Sequence, residues 1–258
     1  MDGFFSDKEL TELRSSERWD WKDSHQGEFK TASNDVNSEK QFIFGSCRYL
    51  LRLFGGSWFD SRGDKTFRSI LGQIKQGDGI DKLLMVGDQI YADDLNFLSP
   101  DEQVDQYLSR YRDAFSQKYI RELMGNVPTY MILDDHEIED NWPSKADTKD
   151  FVVKYPAAMH AYQIYQISHS PLIPINNEGK LLGAPGKFYY TFKDGCCDYF
   201  VTDTRTEREP EGGEIISDIQ MVELLEWLGD GEQRIKFVVT SVPFFPDTKK
   251  INEDEWSN

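Results

Sequence analysis

The chain has 258 residues, with 46 Asp and Glu against 29 Lys and Arg, and carries a formal charge of -17. That length is enough for a large core in one or two domains without staples. The acidic balance argues against a nucleic-acid-binding surface, which needs clustered Lys and Arg. No stretch approaches the roughly 20 apolar residues that cross a bilayer, and the first residues lack the basic and apolar regions of a signal peptide. Of three cysteines, Cys196 and Cys197 are adjacent, which leaves no even disulfide framework. The expectation is a cytoplasmic protein without membrane association.

Residues 1–40 are polar and aperiodic, with Trp19 and Trp21 close together, and read as an N-terminal arm preceding a domain over residues 41–258. From there strand-like and helix-like segments alternate, as in an α/β layer fold. Phe42-Ile-Phe-Gly45 predicts a strand. Thr66–Gln76 places Phe67, Ile70, Leu71 and Ile74 on one helical face and stops at Gly77. Lys82–Val86 and Pro128–Leu133 are apolar runs too short for helices, as buried strands are. Between them a long helix is expected from Ser99-Pro100 to Gly125, with Val104, Tyr107, Leu108, Tyr111, Phe115 and Tyr119 turned inward. A further helix is predicted around Ala157–Ile167, and another over Ile219–Leu228, ending at Gly229. Lys187–Phe192 and Cys197–Thr202 flank Asp194-Gly195 as a β-hairpin, so the sheet is mixed.

Chemistry-bearing residues gather where four of these runs end: Ser46-Cys-Arg48, Gly87-Asp-Gln-Ile-Tyr91, Asp134-Asp-His-Glu137 and Asp203-Thr-Arg205. Ligands in wound α/β sheets collect beyond the carboxyl ends of strands. Asp88 is suited to bridge two cations about 3.5–4 Å apart. Tyr91 is close enough to reach the same ion, and with the Cys47 thiolate it forms an anionic donor set that favours iron. Asp135 offers a carboxylate to a second ion. His136 is placed to meet a phosphoryl oxygen or leaving group, and Arg205 and Arg48 to neutralise phosphate charge. Each element alone has a structural alternative. Alone, Cys47 reads as a small buried hydrophobe, the usual state of a lone Cys after a strand, Gly87-Asp88 as a turn, Asp134-x-x-Glu137 as a capping box, and residues 204–208 as a surface ion-pair cluster.

In order, Ser46-Cys-Arg48, Gly87-Asp-Gln-Ile-Tyr-Ala-Asp93, Leu133-Asp-Asp-His-Glu-Ile-Glu-Asp-Asn-Trp142, Asp203-Thr-Arg205 and Ser241-Val-Pro-Phe-Phe-Pro246 resemble the alkaline phosphatase D (PhoD-like) metallophosphoesterases. The resemblance implies a calcineurin-like four-layer α/β/β/α sandwich. It also implies phosphomonoesterase or phosphodiesterase action on a small phosphate ester by a metal-bound hydroxide, with iron and calcium or another divalent ion as cofactors. By position it places metal ligands at Cys47, Asp88, Tyr91 and Asp135, the phosphate-side histidine at His136, and a family arginine at Arg205. The family's later Gly-Asp-x-His type motif has no counterpart in these 258 residues, so the domain reads as incomplete at its carboxyl end. The alternative expectation is therefore a non-catalytic module that keeps the fold and binds phosphate esters.

Overall fold

Two three-stranded sheets lie face to face in the computed structural model, which describes residues 30–50, 52–53, 58–59, 62–77, 79–93, 101–178, 180, 182–209 and 213–244. The first sheet is parallel, with β1 (Phe42–Gly45), β4 (Lys82–Val86) and β5 (Thr129–Ile132) in that order. The second sets β6 (Tyr190–Asp194) antiparallel to β7 (Cys197–Val201), and β7 parallel to β8 (Ile235–Val239). A two-stranded ribbon joins β2 (Arg52–Leu53) and β3 (Trp58–Phe59).

The period of two along each strand builds the layers. On β4 and β5, Leu83, Met85 and Met131 pack with Phe67, Ile70 and Leu71 of α1 (Arg62–Gln76) and with Ile120 and Leu123 of α3 (Lys118–Met124). The alternate residues Leu84 and Ile132 face the second sheet and meet Tyr190, Tyr199, Val201 and Val239. Beyond that sheet Phe200 packs with Ile215, Ile216 and Leu224, the last on α5 (Asp218–Gly229). The result is the expected α/β/β/α order. A further cluster around Tyr107, Tyr111, Trp142, Ala158 and Tyr162 joins α2 (Val104–Phe115) to α4 (Tyr155–Tyr165) at the strand ends.

Two local features differ from the sequence reading, and α5 buries an unexpected face. The helix expected from residue 99 to 125 is two helices: α2 closes at Ser116, whose N–H bonds to Arg112 O, and α3 restarts after the extended Gln117. The Asp64 carboxylate holds them apart by accepting from the N–H groups of Tyr119 and Ile120 in the first turn of α3. The starting residues Ser99 and Pro100 lie outside the described residues. The hairpin turn is Gly195-Cys196, since Asp194 still pairs with Cys197, and Gly195 has φ +60° as the first central position of a type II′ turn requires. In α5 the buried residues are Gln220 and Leu224, whereas Ile219, Val222 and Leu225 are exposed.

The arm expected over residues 1–40 is described from residue 30 onward, and residues 33–40 clasp the hairpin. Ser33 N donates to Asp194 Oδ1, Gly195 N to Ser33 O, and Cys196 N to Ser38 O. The buried Lys82, directed from β4 toward the second sheet, meets Asp194 Oδ2 at 2.5 Å, and Lys40 meets Oδ1 at 3.0 Å. Burial alone would raise the Asp194 pKa, but the bonds from Lys82, Ser33 N and Lys40 outweigh it and hold the carboxyl below its usual range. A depressed folded-state pKa contributes stability above the unfolded value, about 3.9, which is lost as pH falls through the folded value. Asp194→Asn leaves Lys82 as an uncompensated buried charge and should cost about 3–5 kcal/mol at neutral pH. Urea unfolding of both proteins from neutral pH downward should show the gap narrowing below about pH 4.

Candidate metal centre

β1, β4 and β5 are parallel, so their carboxyl ends open on the same edge and bring Cys47, Asp88 and Asp135 together. The turn after β4 is unusual. Gly87 has φ +95°, and a Cβ there would lie 2.5 Å from Asp134 Cβ, so only glycine lets the β4 and β5 ends approach this closely. Cys47 and Asp88 both adopt left-handed backbone at φ +57°, a conformation that costs side-chain-bearing residues roughly 1–3 kcal/mol. Two parallel bonds stabilise the pair of turns: Cys47 N donates to Gly87 O at 3.2 Å and Arg48 N to Asp88 O at 2.8 Å.

These turns converge on the Asp88 carboxylate. Its Oδ2 lies 3.3 Å from both Cys47 Sγ and Tyr91 Oη, while Oδ1 is buried with no hydrogen-bond partner. Asp88, Asp135 and His136 each bring a ligand atom within 4.8 Å of the others. The Tyr91 ring packs on the His136 imidazole at 4.3 Å between centroids. The Asp93 carboxylate holds His136 Nδ1 at 2.9 Å and also accepts from Asp140 N. Nδ1 is thereby engaged, which leaves Nε2 for contact with a ligand.

Charge in this pocket is crowded. Burial, then repulsion from Asp135, raises the Asp88 pKa. Burial and the Asp88 charge likewise push Tyr91 well above its ordinary value, and burial raises the Cys47 thiol. Asp134 is raised to about 7, chiefly by burial, although Arg205 opposes the shift. Burial disfavours the His136 cation, but Asp93 and then Asp135 and Asp88 outweigh it and raise the pKa to about 9. A bound cation favours the deprotonated form of each of these groups. The orphaned Asp88 oxygen and the carboxylate, phenol and thiol groups around it therefore fit a metal ion. Cys47, Asp88, Tyr91 and Asp135 are the residues that would hold it, with His136 beside them.

The two arginines read from sequence as phosphate ligands are placed differently. Arg205 is 2% exposed and ties the site together from within: Nε donates to Asp134 Oδ1 at 2.7 Å, Nη1 to Trp142 O at 2.9 Å, and Nη2 lies 3.5 Å from Asp135 Oδ1. Its own loop is fixed by Asp203, which accepts from the N–H groups of Arg205 and Thr206, and by Gln220 of α5, which pairs with both backbone groups of Asp203. Arg48, also buried, runs inward over Phe67 and Phe115 and donates to Ala114 O at 2.6 Å. Arg205 thus supports the Asp134–Asp135 pair from within, whereas Arg48 turns away from it toward α1 and α2.

Two contributors have no assigned role in the sequence reading. Asp93 was legible only as a residue of the Gly87–Asp93 segment. Glu137 read as half of a capping box, and its Oε2 does accept from Asp134 N at 3.0 Å. Yet the same carboxylate also accepts from Asp88 N at 3.2 Å, Gln89 N at 2.5 Å and Gln166 Nε2 at 3.0 Å. It bridges the β4 and β5 ends, while turns rather than a helix follow it.

A sandwich of this topology, with acidic residues gathered at one edge, is the calcineurin-like fold. The chain belongs to the PhoD-like phosphatase family, whose model matches residues 52–253. A solved structure described as PhoD superposes with a TM-score of 0.60 at 18% identity, covering 82% of this chain and 44% of that one. A purple acid phosphatase, PPD1, from yellow lupin (Lupinus luteus) seeds gives a TM-score of 0.46 at 14% identity, with 81% and 32% covered. The chain thus spans less than half the length of the PhoD structure it matches. No curated protein matches it. No helix among the described residues is long and apolar enough to cross a membrane.

Glu137→Ala removes the acceptor for three backbone N–H groups. At about 1–3 kcal/mol for each buried group left unsatisfied, the variant should lose at least about 3 kcal/mol in urea unfolding. Hydrogen exchange should accelerate most at Asp88, Gln89 and Asp134.

Proposed function

We propose that this chain carries the metal centre of a phosphoric ester hydrolase acting on a small phosphomonoester or phosphodiester. The observation that carries the reading is the buried Asp88 carboxylate, with one oxygen orphaned and the other within 3.3 Å of both Cys47 Sγ and Tyr91 Oη, beside Asp135 and His136. The donor set supports iron at Cys47, Asp88 and Tyr91, with calcium or another divalent ion at Asp88 and Asp135. Metal bound there supplies Lewis-acid charge for the phosphoryl oxygens and activates water as the nucleophile.

The protein's own groups then have separable tasks. In hydrolysis water oxygen bonds to phosphorus, the ester P–O bond breaks, and the departing oxygen takes a proton. With Nδ1 held by Asp93, the Nε2–H of His136 is the group placed to deliver that proton. Arg205 acts as a positioning residue through Asp134 and Asp135, not as a direct phosphate ligand. The left-handed turns at Cys47 and Asp88 set donor positions before any ligand arrives, which is how preorganised sites avoid reorganisation during reaction.

Elemental analysis and a visible spectrum of the purified protein test the assignment. Iron should bind with a tyrosinate charge-transfer band that Tyr91→Phe abolishes, and Asp88→Asn should lose metal. His136→Asn should retain metal while slowing turnover of an aryl phosphate by roughly 10²–10⁴-fold. Unchanged metal content in Asp88→Asn would overturn the bridging role. Tight ester binding without turnover would mark a binding module instead.

A further inference from the structure

A cavity borders the Cys47 turn. It has a volume of about 280 Å³ and opens at the edge strand beside Phe44, which is 70% exposed. Ile43, Phe67, Ile70 and Met85 give it apolar walls, and Arg48 and Gln89 supply polar ones. Asp88, Tyr91, Asp135 and His136 do not line it, so it is separate from the metal cluster although Cys47 borders both.

Its polar walls are unsatisfied. Arg48 is 6% exposed and uses Nη2 on Ala114 O, but its Nε and Nη1 are buried without hydrogen-bond partners. Gln89 is 1% exposed; its Nε2 bonds to Gly87 O at 2.7 Å while Oε1 is buried and unpartnered. Burial lowers the Arg48 pKa to about 10, with the charge of Asp64 acting the other way. Asp64 itself is engaged by the N–H groups of Tyr119 and Ile120. Among the described residues no carboxylate forms an ion pair with Arg48. A buried cation without an anion is costly, as is each orphaned donor or acceptor.

We infer that this cavity is a binding site for a small organic monocarboxylate: the carboxylate pairs with Arg48, the alkyl body lies against Ile43, Phe67, Ile70 and Met85, and a hydroxyl or water satisfies Gln89 Oε1. A single guanidinium balances one negative charge, so a monoanion fits better than a dianionic phosphate monoester. The volume lies near the lower end for small-molecule pockets, roughly 300–1,000 Å³, which suits a short chain. The site does not depend on hydrolytic activity.

Titration calorimetry with hexanoate tests the inference. Saturable binding of one hexanoate per chain is expected, with 1-hexanol at least ten-fold weaker because it lacks the charge. Arg48→Met, which keeps an apolar stem of similar reach, should weaken hexanoate at least ten-fold. Ile70→Trp, which fills the cavity and leaves the charge in place, should abolish binding. Asp88→Asn should leave hexanoate affinity unchanged. Loss of binding in Asp88→Asn would place the carboxylate on the metal centre and overturn the proposal. Equal affinity for hexanol, indifference to Arg48→Met in folded protein, or no saturable binding at millimolar hexanoate would overturn it as well.

Discussion

The site depends on the Glu137 carboxylate. Parallel strands can bring several side chains to one edge, but nothing in the β-ladder fixes the turns that follow. Glu137 does so by accepting from the backbone of Asp88 and Gln89 after β4 and of Asp134 after β5, with Gln166 Nε2 as a fourth donor. Several donors converging on one acceptor at 1% exposure hold it in a single orientation. Its burial raises its pKa, with the Asp88 charge adding to the rise, while the N–H groups of Gln89 and Asp134 act in the opposite sense. The left-handed conformation of Asp88 is therefore held from both sides: its N–H bonds to Glu137 and its carbonyl to Arg48 N.

The same carboxylate creates an electrostatic problem that the rest of the site answers. Asp88, Asp134, Asp135 and Glu137 are all buried in one small region, and among the described residues Arg205 is the arginine that pairs with two of them, Asp134 and Asp135. Repulsion of this kind raises pKa values until a cation or protons restore balance. The arrangement is organised rather than diffuse. Arg205 and Asn141 N hold Asp135 from below, Asp93 holds His136 from the side, and Asp88 keeps an unengaged oxygen. Arg205 supplies positive charge where Asp134 and Asp135 must be positioned, and an Asp88 oxygen stays open where a metal would sit.

Much of this was legible from residue type and local pattern. Lys82–Val86 and Pro128–Leu133 read as buried strands because they are short and apolar throughout, and the structure adds that β4 sends alternate residues to two different layers. Cys47, Asp88, Tyr91, Asp135 and His136 were legible as a set because strand-end residues of one parallel sheet converge. What was not legible depends on long-range partners. The break between α2 and α3 needs Asp64, more than fifty positions away. The role of Glu137 beyond its capping box needs the β4 turn. The direction of a long side chain is least readable of all: Arg48 and Arg205 stand in the motifs that suggested phosphate contacts, yet both turn inward.

That inward turn changes what the arginines contribute. At the surface of a cleft, a guanidinium adds affinity for any anion and is screened by salt. Beneath the cleft, Arg205 instead fixes the angle of Asp134 and Asp135, and through Trp142 O it joins the β5 end to the helical cluster of α2 and α4. Under the proposed function, anion recognition at the rim would fall to the metal and to His136, whose geometry is set by buried neighbours. Selectivity under that arrangement follows from donor positions held to within the tolerance of a hydrogen bond, and a modest displacement of Arg205 or Glu137 reaches the centre without either residue touching substrate.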